Sequence, residues 1–278
     1  MKTKLLIVYF VLIYYPLELL SQTGLNEDNV IISGKILDFQ NSKKRTTINF
    51  YFRDILNRDL QNTYVSEIDS LGNFSIKIPI YYPQDFNIDF GTQLICSPGD
   101  SLIIRINVKN ETIYVVGGNR LKDNTDFNNF INGINNIDNT KNYDLAKDKT
   151  SSEFSQYLIT REDKYRDFLN DFKSHNNTSS LFNRFADDYL KYDTWQALLS
   201  YPEWFAEQNN IKKDSVKLNI DYYSFLKEYN MDDAHLISTK HAYFLHQFNR
   251  YVLRTPKDSR IKHIVYLENK ILYQGQKC

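Results

Sequence analysis

Cysteine is nearly missing from this chain, which carries Cys96 and Cys278 alone. No Cys-x-x-Cys can be written, and no cysteine stands at metal-ligand spacing. Cys96 lies in an apolar strand pattern and reads as a buried thiol, while Cys278 reads as a free, exposed one; a bridge between the two stays open at this level. Histidine offers no more. The five imidazoles, His175, His235, His241, His246 and His263, include no His-x-x-x-His pair of the kind that puts two ligands on one helical face. They read as structural or solvent-facing, and neither a metal nor a cofactor is expected. Charge of one sign is also lacking, because 34 Lys and Arg balance 34 Asp and Glu. That balance argues against nucleic acid as partner, since phosphate binding needs a basic face that releases counterions.

A long hydrophobic run is missing too. The apolar stretch over residues 5–15 falls short of the roughly 20 residues a membrane helix needs. Lys2 and Lys4 precede it and Leu19-Leu20-Ser21-Gln22 follows it, the order of a secretory signal peptide over residues 1–21. No cysteine follows for lipid attachment. The expectation is a periplasmic or secreted chain of a Gram-negative-type envelope, with no stable membrane span after cleavage. About 257 residues then remain, enough for two modest cores, and an aromatic content of 15% favours a packed chain over a disordered one.

The fold class expected is α+β, with an antiparallel β-sandwich over residues 28–118 followed by an irregular α-helical domain over 119–278. Seven short strands are expected, over residues 30–36, 46–53, 63–68, 74–80, 86–96, 102–108 and 112–116. In the second, Ile48, Phe50 and Phe52 alternate with Asn49, Tyr51 and Arg53, a period of two with one buried face. Gly34 marks a bulge or a close approach. The turn Ser70-Leu71-Gly72-Asn73 predicts a tight hairpin, and Pro79 and Pro83 are expected to end its pairing. Beyond Asn119 the period changes. Phe127, Phe130, Ile131, Ile134 and Ile137 form a helical stripe, which Gly133 weakens. Residues 139–149 read as a loop, and Thr150-x-x-Glu153 as the capping box of the strongest helix. A third helix is expected to stop before Pro202, with others over 221–229, 239–253 and 257–272.

Candidate sites are few. Trp195, Tyr201, Trp204 and Phe205 cluster around Pro202, and such rings either anchor a partner or a sugar or fill a corner between helices. Asp232-Asp233-Ala234-His235 reads as the cap of the helix that follows it. Asp187-Asp188 and Arg161-Glu162-Asp163-Lys164 read as solvated faces, with Glu162 and Arg166 paired across one turn. No catalytic constellation emerges.

One resemblance adds to this. Ile32-Ser33-Gly34-Lys35-Ile36, Ile68-Asp69-Ser70-Leu71-Gly72-Asn73-Phe74, Ser97-Pro98-Gly99-Asp100-Ser101-Leu102 and Val116-Gly117-Gly118-Asn119 resemble the N-terminal region of TlpA-like, thioredoxin-fold disulfide reductases of the bacterial envelope. The match covers roughly residues 30 to 135. In that family the chemistry belongs to a C-terminal thioredoxin domain with Trp-Cys-x-x-Cys. No such motif occurs here, so no catalytic residue carries over. The resemblance implies a non-enzymatic accessory or protein-interaction module, partnered by another envelope protein or by itself. The alternatives are a disulfide reductase whose redox domain is missing and a glycan-binding sandwich.

Overall fold

The computed structural model describes residues 28–39, 46–53, 61–89, 91–109, 112–219, 221–229 and 238–254. The signal segment, the expected helix over 257–272, the Asp232–His235 cap, His263 and Cys278 lie outside the described residues.

The fold is α+β, and two four-stranded sheets form its N-terminal half. The strands are β1 (Asp28–Leu37), β2 (Thr47–Arg53), β3 (Gln61–Glu67), β4 (Asn73–Ile80), β5 (Gln84–Ile88), β6 (Gln93–Cys96), β7 (Ser101–Asn107) and β8 (Thr112–Gly118). Sheet I has the order β4-β1-β7-β8 and sheet II the order β3-β2-β5-β6. Alternation along each strand turns Val30, Ile32, Ile78, Leu102, Ile104 and Ile106 of sheet I against Ile48, Phe50, Phe86 and Leu94 of sheet II, all fully buried in one core. Burying each such side chain contributes about 1.5–3 kcal/mol. The sandwich is antiparallel except at its centre, where β1 runs parallel to β7.

Three details depart from expectation. Residues 86–96 make two strands rather than one: Gly91 at φ +73° turns the chain, and β5 pairs back on β6. Counting this, the sandwich has eight strands. The turn at residues 69–73 is built as read, with Asp69 Oδ1 accepting from the Leu71 and Asn73 amides at 2.8 Å and Gly72 at φ +83°. It does not close a hairpin. β3 pairs with β2 while β4 pairs with β1, so the turn carries the chain from one sheet to the other. Local turn chemistry reverses a chain but does not choose its partner. Pro79 does not end β4 either, because it lies opposite Asn29 on an edge strand, where proline is tolerated. Gly34 is a close approach: a Cβ there would stand 2.4 Å from the Ile104 carbonyl oxygen.

The helices are α1 (Leu121–Ile137), α2 (Asn142–Ala146), α3 (Ser151–His175), α4 (Ser180–Gln208) and α5 (Thr239–Arg254), with 3-10 turns at Lys213–Ser215 and Ser224–Glu228. Two expectations change here: α2 forms within the expected loop, and residues 221–229 make turns and a 3-10 helix instead of an α-helix. Gly133 is a notch rather than a weakness, for a Cβ there would meet the Phe168 ring of α3 at 2.1 Å. Thr150 and Glu153 form the capping box at the start of α3.

The largest correction is at Pro202, which lies inside α4 instead of ending it. Proline has no N–H for the carbonyl four residues back, here that of Leu198, and its ring crowds that turn. The Tyr222 hydroxyl donates to the Leu198 carbonyl at 3.1 Å. A side chain from the following segment thus satisfies a buried acceptor that the helix itself cannot.

Helices cover the β5 and β6 end of the outer side of sheet II, while Thr63, Val65 and Glu67 of β3 stay exposed. Ile95 of β6 points away from the sandwich core into a cluster with Phe127, Phe130 and Phe182. Beside it, Asn124 of α1 is fully buried: its Oδ1 accepts from the Ile95 amide at 2.8 Å, and its Nδ2 donates to the Ile95 carbonyl at 3.0 Å. The asparagine amide thereby stands in for the strand that edge strand β6 lacks.

Candidate interaction face

The four aromatic residues around Pro202 do not share a surface. Trp195 is buried with Tyr192, Leu199, Phe244 and Phe248 between α4 and α5. Tyr201 is buried in a separate cluster with Phe154 and Tyr222, where its hydroxyl donates to the Lys149 carbonyl at 2.8 Å. Trp204 and Phe205 are half-buried at the rim of that second cluster. They act as the corner filling between helices, with Tyr143 edge-on to Trp204. A shallow groove of about 510 Å³ runs along α3 past Lys149, Ser152, Gln156 and Thr160. Its two other lining groups already have work, Glu153 in the capping box and Tyr157 on the Asp138 carboxylate.

Three buried polar clusters are better placed to matter, and all three join elements. At the passage from sandwich to helices, Asp100 is 2% exposed. It accepts from the Ser97 amide at 2.6 Å, from Asn119 Nδ2 at 2.9 Å and from Arg120 Nε at 2.8 Å. Arg120 also pairs with Asp123, which accepts from the Ser179 hydroxyl at the start of α4. The segments Ser97-Pro98-Gly99-Asp100 and Asn119-Arg120 are therefore parts of one joint.

Asp85 of β5 faces outward and meets the start of α5. Its Oδ1 accepts from the Thr239 amide at 2.8 Å and from the Thr239 hydroxyl at 2.9 Å, and Gln93 donates to Oδ2. Burial pushes this carboxyl up to about 6, against those hydrogen bonds. Ser238 completes the cap by accepting from the His241 amide at 3.1 Å. The third cluster holds α3, α4 and α5 together: Asp193 contacts Lys240 at 2.5 Å and Arg161 at 3.5 Å. Burial alone would lower the Lys240 ammonium, but Asp193 and Tyr189 together outweigh it and the group is raised. Arg161 is thus buried, not on the solvated face expected of it, whereas Glu162 and Arg166 pair at 2.6 Å as expected. Cys96 is buried, and desolvation raises its thiol well above the ordinary value. His241 is buried and stacks on Tyr192 with ring centres 4.0 Å apart.

Sheet I is different on its outer side. Alternation points Ile31, Ser33 and Lys35 of β1 outward, with Ser101, Ile103 and Arg105 of β7 beside them. Ser75 and Lys77 of β4 flank them on one side, and Tyr114 of β8 on the other. Val116 joins the face through a bulge where β8 slips against Ile103 and Ile104. Tyr114 is 50% exposed, Ile103 47%, and Ile31 and Val116 40% each. Lys35, Lys77 and Arg105 are exposed among them. Sequence reasoning passed over this face. The alternation in β1 and β7 showed each residue pointing outward, but not that these two strands lie side by side.

Among the described residues no helix is long and apolar enough to cross a membrane, and no group of three or more His, Cys, Asp or Glu side chains is placed to hold a metal ion. No family model, curated protein or solved structure matches the chain.

Proposed function

We propose that this chain is a non-enzymatic, exported protein-interaction module of the bacterial envelope, and that it meets its partner through the outer face of sheet I. One observation carries the reading. Helices cover the β5 and β6 end of the outer side of sheet II, while the face of sheet I leaves Ile31, Ile103, Tyr114 and Val116 in solvent together. Contiguous apolar groups exposed on a soluble domain mark contact surfaces more often than scattered single ones do. The order of Lys2 and Lys4, the apolar run and Ser21 supports export, and the resemblance to the accessory region of TlpA-like proteins supports an envelope role. The buried charges support it in another way. The Asp85, Asp100 and Asp193 clusters each hold two or more elements together, which suits a rigid scaffold presenting one face.

The test is site-specific photo-cross-linking in the envelope of the native host. A photoreactive residue at position 103 is expected to give discrete protein adducts, and one at Lys164, exposed on α3, none. Adducts from Lys164 but not from position 103 would contradict the reading.

A further inference from the structure

We infer that the outer face of sheet I receives an acidic, extended segment of a partner protein, an inference that rests on the interaction-module reading above. The register places Asn73, Lys35, Arg105 and Tyr114 in one row across the four strands. Lys35 and Arg105 therefore stand directly opposite each other on neighbouring strands, about 4.8 Å apart by ordinary strand spacing. Like charges placed so are destabilising. No described carboxylate relieves them: none of the ion pairs among the described residues involves Lys35, Lys77 or Arg105. The outward positions of the four strands hold these three cations and no Asp or Glu. Elsewhere Arg120, Arg161, Lys240 and Arg250 all have carboxylate partners. Other exposed cations such as Lys109 and Lys164 also have no ion pair among the described residues, but Lys35 and Arg105 differ in being held opposite each other by strand register.

Charge and side-chain type choose the occupant. A second copy meeting this face about a two-fold axis would set Lys35, Lys77 and Arg105 against their own kind. A sugar would want several rings to stack on, and Tyr114 is the one ring among the exposed apolar residues of the face, the others being Ile31, Ile103 and Val116. An extended peptide fits better. Its facing side chains recur every second residue, about 6.8 Å apart, which is also the step from Ile103 to Arg105 along β7. A segment alternating carboxylate and aliphatic groups on one side would lay acids over Lys35 and Arg105 and methyls over Ile103 and Ile31.

The experiment uses the purified full-length chain and a labelled peptide, Ac-Thr-Glu-Thr-Val-Thr-Glu-Thr-Val-Thr-NH2, with its Lys-for-Glu counterpart. The chain is expected to bind the Glu peptide in preference to the Lys peptide and to lose affinity as salt rises. The double variant Lys35→Glu/Arg105→Glu should weaken Glu-peptide binding about tenfold or more and prefer the Lys peptide, while Lys164→Glu should change nothing. Equal binding of both peptides, or a double variant that binds the Glu peptide as well as the parent, overturns the inference. So does charge-dependent binding to phosphatidylglycerol vesicles with none to the peptide. The cross-linking experiment separates the two proposals. Adducts at position 103 that persist unchanged in the double variant overturn the acidic partner and leave the interaction module standing, whereas loss of position 103 adducts from the unmodified chain removes both.

Discussion

The outer face of sheet I and the β5–β6 end of the outer face of sheet II have the same alternating strands beneath them and opposite fates. On sheet II, β5 and β6 turn Asp85 and Ile95 outward, and both are buried under helices. On sheet I, β1 and β7 turn Ile31, Lys35, Ile103 and Arg105 outward, and all four are exposed. Polar groups on the covered face are satisfied to a high degree, down to an asparagine that replaces a missing strand. Cations on the open face have no described carboxylate beside them. The comparison teaches that polarity alone does not tell a buried outer face from an open one. What tells them apart is whether each polar group has found a partner within the fold.

The largest expected effect lies on the covered face. Asn124→Ala leaves the Ile95 amide and carbonyl buried without partners, and should cost about 3 kcal/mol in urea unfolding, since each stranded buried group costs about 1–3 kcal/mol. A loss below about 1 kcal/mol would mean that water or a neighbour replaces the asparagine and that the joint is not as tight as described.

Asp85 gives an effect of similar size that appears only as pH changes. Its folded-state pKa is raised from 3.8 to about 6 by burial, so between those values the native state holds more protons than the unfolded one. Stability from this group is therefore present at low pH and is lost as pH rises through about 6, amounting to about 3 kcal/mol at 1.36 kcal/mol per unit. Asp85→Asn keeps an acceptor for Thr239 and removes the titration. Plotted against pH, the stability of the parent relative to the variant should fall between pH 4 and 6 and then run level. A level difference across that range would show that the carboxyl is not held as the geometry implies.

Tyr222→Phe should cost less, about 1 kcal/mol, by freeing the Leu198 carbonyl that Pro202 cannot satisfy. Amide exchange around residues 198–202 should quicken with it. The smallest effect belongs to the open face. Truncating Lys35 or Arg105 to Ser should leave stability within about 0.5 kcal/mol of the parent, or raise it slightly by separating like charges. A marked loss there would erase the contrast, because it would show that these side chains support the fold after all.

Much of the fold was legible because its signals are local. Ile48, Phe50 and Phe52 announce a half-buried strand by alternation, Thr150 and Glu153 announce a helix start by spacing, and the structure contains both. Pro202 misled because the rule that proline stops a helix assumes that nobody else can satisfy the lost bond, and Tyr222 does so from 24 residues beyond the Leu198 carbonyl. The turn at Gly72 misled because its geometry is local while its strand pairing is not. The candidate face was the least legible part. Lys35 and Arg105 are 70 residues apart in the chain, and only the parallel register of β1 with β7 makes them neighbours. The aromatic residues that drew notice in the sequence, Trp195 and Tyr201, are large because they fill two separate cores.

Hydroxyl-radical footprinting of the chain in intact cells of its host, set against the purified chain, tests the central claim most directly. Tyr114 and Ile103 on sheet I should be strongly protected in the cells, while Leu71, Tyr81 and Tyr243, which are comparably exposed elsewhere, should oxidise equally in both. Equal oxidation of Tyr114 and Ile103 in the two preparations, with protection at Tyr243 instead, would contradict the account and move the contact surface to the helices.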